Sequence, residues 1–159
     1  MRKPFARTLI VAALLGLSAC VGGGEPPGTR FATVAAQVPP VPADRARFFF
    51  YRDYSLYDSD QRPFIALNGD PVVISENGGV TYRDVPPGTY LISVPYSAIY
   101  PYKDKTVTVG PGQTVYAKIQ TEKYEPNVTL LDYQPDIFVV VLVDPAQAQT
   151  EIASKRYFP

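Results

Sequence analysis

From Arg45 onward the chain is broken at short intervals by residues that turn a backbone: Asn68-Gly69, Asn77-Gly78-Gly79, Pro86-Pro87-Gly88 and Gly110-Pro111-Gly112. Asn-Gly favours the left-handed conformations of a tight hairpin, and Pro-Gly corners stop helices and interrupt ladders. Between such breaks there is room for short strands and little else. Thr89 to Val94 alternates cleanly, with Tyr90, Ile92 and Val94 on one face and Thr89, Leu91 and Ser93 on the other. Val115, Ala117 and Ile119 likewise oppose Thr114, Tyr116, Lys118 and Gln120. Ala46 to Arg52 carries aromatics on both faces, which suits a strand buried inside a sandwich, and Ile137 to Val143 is apolar on both faces and reads as a central strand. The expected fold class is all-β: an antiparallel β-sandwich of about seven strands over residues 45–159. One short C-terminal helix should close it, because Asp144 suits an N-cap, Pro145 suits the first helical position, and helix formers follow to Ser154.

The N-terminal part has another character. Arg2, Lys3 and Arg7 precede an apolar run from Leu9 to Leu17, and Leu17-Ser18-Ala19-Cys20 follows. A basic start, a short hydrophobic stretch and a small-residue cleavage site make a secretory signal. The run is too short for a transmembrane helix, which needs roughly 20 apolar residues. The site resembles a bacterial lipobox, and Cys20 is the sole cysteine of the chain. That resemblance implies a signal peptide over residues 1–19, cleavage before Cys20, and a lipidated Cys20 at the start of the mature chain. It also implies three acyl chains, hence permanent attachment, since one chain alone binds only marginally. Val21, rather than Asp, after the cysteine favours the outer membrane. Residues 20–44 are rich in Gly and Pro (Gly22-Gly23-Gly24, Pro26-Pro27, Pro39-Pro40) and read as a disordered tether.

Composition narrows the chemistry. The 159 residues hold no His and no Trp. Without His, the Ser-His-Asp and Cys-His routes, His-ligated zinc and a His-based pH switch are excluded. Three of the 15 basic residues lie in the signal, leaving 12 against 15 acidic ones in the mature chain. A mildly acidic surface gives no footprint for nucleic acid. No Gly-rich phosphate loop, metal-binding cysteine pair or nucleophile elbow is present, so no cofactor, metal or catalytic residue is expected.

The order of Tyr51-Arg52, Asn68-Gly69, Pro86-Pro87-Gly88-Thr89-Tyr90 and Gly112-Gln113-Thr114-Val115-Tyr116 resembles a family of small bacterial lipoproteins described only as a domain of unknown function. The likeness spans Arg45 to Gln120. It implies a transthyretin-type or carboxypeptidase-regulatory-type β-sandwich at the cell envelope, with no established activity to carry over. Transthyretin-like ligand and enzyme sites depend on His residues that this chain lacks.

Two loops hold what functional signal remains. Asp53, Asp58 and Asp60 lie close in sequence, but without the glycine and closing glutamate of a calcium loop they read as a solvated turn. Tyr54 and Tyr57 in that loop, and Tyr96, Tyr100 and Tyr102 in Pro95–Tyr102, are a candidate binding surface, because tyrosine presents a large apolar face with a polar tip. The same rings could instead pack as covers over the ends of the sandwich. Asn127-Val128-Thr129 matches a glycosylation acceptor and reads as a chance match in a bacterial chain. Lys103, Lys105, Lys118 and Lys123 read as a solvent face.

The expectation is a non-catalytic structural or protein-interaction module, lipid-anchored and facing the periplasm, with an envelope protein as partner. The alternative is a module that binds a small ligand, glycan or peptidoglycan through the tyrosine loops.

Overall fold

The structure is a computed structural model that describes residues 28–58, 60–95, 103–123 and 136–159. The expected signal peptide and Cys20 lie outside the described residues, as do Tyr96, Tyr100, Tyr102 and Asn127.

Nine strands among the described residues form two facing sheets. One has the order β8-β7-β1-β4-β9, built from Asp136–Val143, Thr114–Lys123, Ala46–Arg52, Gly79–Val85 and Arg156–Tyr157. The other has the order β3-β2-β5-β6, from Asp70–Ile74, Phe64–Leu67, Gly88–Ser93 and Lys105–Val109. The all-β sandwich is therefore present. Asn68 (φ 53°) and Gly69 (φ 90°) make the tight turn between β2 and β3. Asn68 Oδ1 also accepts from Leu91 N at 2.8 Å, so the turn is tied to β5.

Alternation along β1 builds two cores from one strand. Phe48 and Phe50 point inward and meet Ile65, Leu67, Ile92, Ala117, Ile119, Phe138 and Val140 between the sheets. Phe49 and Tyr51 point outward, where water would be expected, yet both are buried. Their cover comes from two helical pieces. One is α2 (Pro145–Ala153), whose Ala148 and Ile152 are buried, and whose Asp144 cap accepts from Ala146 N at 2.9 Å. The other is α1 (Phe31–Val34) with the 3-10 turn Ala35–Gln37 behind it.

That second piece corrects the sequence reading. The expected tether through residue 44 is packed against the sandwich from Thr29 onward. Phe31 sits edge-on to Phe49 with ring centroids 5.6 Å apart and lies 5.8 Å from Tyr157, and Val34 and Val38 join the same cluster. Main-chain bonds hold the segment: Phe31 N donates to Lys155 O at 2.8 Å, and Tyr157 N to Thr29 O at 2.9 Å. Phe31, Val34 and Val38 recur at helical spacing, and their burial outweighs the proline-rich composition around them.

Two further readings change. β8 is an edge strand of its sheet, not a central one. Ile137 to Val140 of its apolar run are buried, with β5 and β6 packed against the strand and Lys103 bridging to Val139 across the edge, whereas Leu142 is exposed. The sheets are also not purely antiparallel: β1 runs parallel to β7 from Arg47↔Thr114 to Arg52↔Ile119, and β4 runs parallel to β9. The crossover from β1 to β7 passes through the second sheet, which leaves no local signal in either strand.

Candidate functional site

The registers place one set of strand ends together. Arg52 ends β1 opposite Ile119 of the parallel β7, and Tyr51 pairs with Val80 near the start of the antiparallel β4. β2 begins at the same end with Phe64, and β5 finishes there after pairing Ser93 with Ala66. The loop carrying Tyr54 and Tyr57 thus leaves the same end of the sandwich at which β5 finishes. Of the five candidate tyrosines, only these two lie within the described residues.

The stem of the loop between β1 and β2 is held by a buried cation. Arg52 and Asp58 have side chains only 3 % and 2 % exposed and meet at 2.7 Å. The Arg52 guanidinium also donates to Asp58 O and Gln61 O, both at 2.9 Å, and lies 4.8 Å from the Phe138 ring centroid. Thr121 Oγ1 donates to the Asp58 carboxylate. Burial alone would raise the Asp58 pKa, but hydrogen bonds from Ser55 and Thr121 and the Arg52 charge outweigh it and hold the group below the usual carboxylate range. Asn77 secures the first half of the loop, donating to Ser55 O at 2.7 Å and accepting from Ser55 N at 2.9 Å. The loop is therefore pinned at its stem: Asp58 is buried, while Asp53 and Asp60 are exposed as the solvated-turn reading has them.

Between these anchors the chain turns outward. Tyr54 is half-buried, whereas Leu56 is 66 % exposed and Tyr57 98 % exposed. Among the described residues, the open depression at the base of the loop, about 280 Å³, is lined by Arg52, Asp53, Ser55, Asp58, Ile119 and Thr121 but by neither tyrosine.

Beside it lies an ion network. Lys118 Nζ meets Asp53 Oδ2 and Glu151 Oε2 at 2.8 Å each, and Lys155 pairs with the other Asp53 oxygen. Tyr51 Oη donates to Glu151 at 3.1 Å. Burial would lower the Lys118 pKa, but hydrogen bonds and charge from Asp53 and Glu151 raise it overall. Burial, then the Glu151 contact, pushes the Tyr51 hydroxyl far up. Both shifts favour the protonated form. Lys118 is only 12 % exposed and belongs to this network rather than to a solvent face.

No three metal-ligating side chains gather among the described residues, and no helix there is long and apolar enough to cross a membrane. No family model matches the chain, and neither a curated protein nor a solved structure does. The resemblance to small lipoproteins consequently rests on the motifs quoted for it.

Sequence reasoning missed two groups that shape this end. Arg52 and Asp58 form the buried pair, and the available signal was a charged residue closing an otherwise aromatic strand. Phe31 was the other, visible only as an isolated aromatic at the head of an apolar i, i+3, i+7 series.

Proposed function

We propose that this protein is a lipid-anchored module of the bacterial cell envelope, tethered through Cys20 and facing the periplasm, with a structural or protein-interaction role rather than a catalytic one. The observation that carries the reading is the sole cysteine, which stands at the acceptor position of a lipobox after a basic and then apolar start. Val21 favours the outer membrane, and the order of turn motifs from Tyr51-Arg52 to Tyr116 supports the same assignment. The non-catalytic role is supported by the absence of His from the sequence and by titratable groups spent on ion pairs within the fold.

Palmitate labelling of growing cells tests the anchor. The native chain should take up label, and Cys20→Ala should take up none while retaining its signal. A variant that still labels contradicts the reading. Crosslinking in living cells, followed by capture of the acylated chain, tests the interaction role. One dominant envelope protein is the expected product, whereas recovery of glycan without protein would favour the ligand-binding alternative.

A further inference from the structure

The end of the sandwich that carries Leu56 and Tyr57 is also the end at which the chain arrives. Tyr157 N donates to Thr29 O, Arg30 bridges to Arg156, and Arg156 N donates to Gly78 O at 3.0 Å. Gly78 directly precedes β4, whose Val80 pairs with Tyr51 at the close of β1. Thr29 therefore lies beside the strand end from which the Leu56–Tyr57 loop departs. From there the packed segment runs the length of the sheet to Pro39, whose carbonyl accepts from Arg47 at 2.7 Å near the opposite end.

Nine residue steps separate Cys20 from Thr29. Fully extended they span roughly 30 Å, and as a Gly-rich coil about 15–18 Å. A tether running to residue 44 would have entered at the opposite end, where Ala46 pairs with Val85, and would have turned the sandwich over. The packed segment thus fixes which end a short N-terminal anchor draws toward its membrane.

We propose that Leu56 and Tyr57 seat in the interfacial layer of the bilayer that holds the Cys20 acyl chains, so that the sandwich stands with this end down. The inference rests on the lipid-anchor reading. An amphipathic tyrosine ring suits headgroup depth, and a neighbouring leucine suits the layer just beneath. Charges around the loop are largely paired within the fold, Asp53 with Lys118 and Lys155, and Arg62 with Glu76. The seat is therefore apolar and does not require anionic lipid. Two side chains would bind a membrane weakly by themselves, but a tether this short makes the contact intramolecular and raises the effective concentration. Arg52 and Asn77 hold the loop stem in place, so little ordering remains to be done on contact.

The chain has no Trp, so one substitution provides a unique fluorophore. Tyr57→Trp places it at the proposed contact, and Pro111→Trp places it in the Gly110–Gly112 turn near the far end. Each full-length acylated protein would be reconstituted into phosphatidylethanolamine vesicles with brominated acyl chains, with and without phosphatidylglycerol. The Tyr57→Trp emission should fall at least twofold in both lipid mixtures, while the Pro111→Trp emission stays unquenched. Equal quenching of both, or none at Tyr57→Trp, overturns the orientation. Intact mass of the same samples separates the two failures. An acylated, vesicle-bound chain without quenching sinks this inference alone, whereas a chain lacking acyl mass at Cys20 sinks the anchor and the orientation with it.

Discussion

Arg52→Ala is expected to cost about 3–5 kcal/mol of folding stability, the range for breaking one partner out of a buried ion pair. The substitution would strand the Asp58 carboxylate at 2 % exposure and remove the donors to Asp58 O and Gln61 O. It would also uncover the Phe138 ring on which the guanidinium rests. Domains of this size are stable by only about 5–15 kcal/mol, so the loss is a large share of the whole. Denaturant unfolding should show a much lower midpoint at an unchanged slope. A midpoint within experimental error of the native protein would mean that the pair does not hold the loop.

The same pair sets an acid limit. Because Asp58 has a lower pKa folded than unfolded, its contribution is fully present above the unfolded value of about 3.9 and is lost as pH falls through the folded value. Native stability should therefore drop below about pH 4. Asp58→Asn should be weaker at pH 7 and should lose less on acidification. Asp53 and Glu151 are also held low by their lysine partners, so a residual acid slope should remain in the variant.

Phe31→Ala is the second large effect. Burying Phe31 closes the outer cluster over Phe49 and Tyr157, and Phe-to-Ala changes in such positions cost about 3–5 kcal/mol. Phe31 sits on a four-residue helix whose detachment can be local, so a loss near 3 kcal/mol is expected. Undocking would free residues 29–44 and bring Arg30 and Arg45 within reach of trypsin. Cleavage at those two sites should rise sharply at temperatures where β1 to β8 stay intact. Native-like protection in the variant would show that main-chain bonds alone hold the segment. Release would also lengthen the tether, so the quenching expected from Tyr57→Trp should weaken in a Phe31→Ala background.

Where pattern and burial were coupled locally, the sequence was informative. The alternation of Phe48 and Phe50 against Phe49 and Tyr51 pointed to a strand covered on both faces, and Asn68-Gly69 marked the hairpin between β2 and β3. Asp144-Pro145 located the start of α2, because cap chemistry is decided within a few residues. Features that depend on distant partners were less legible. The run from Ile137 to Val143 reported a buried strand, as Ile137 to Val140 are, but nothing in it distinguishes an edge beneath the second sheet from a centre, nor foretells the exposure of Leu142. Parallel pairing of β1 with β7 depends on the crossover between them. Composition hid Phe31, since the prolines around it argue for a spacer while its docking surface lies more than a hundred residues away at Lys155 and Tyr157. At the candidate site Tyr57 is exposed and Tyr54 half-buried, a difference that the shared residue type does not carry. The pinning of their loop by Arg52 was not legible, because a buried charge is indistinguishable from a surface one until its partner is placed.

The most direct test of the anchored-module account is the intact mass of the native protein purified from bacterial membranes. The account predicts a chain that begins at Cys20 and carries the added mass of three acyl groups, all released from the protein by cleavage between Cys20 and Thr29. A chain that retains residues 1–19, or one that begins at Cys20 with a free thiol, would contradict it.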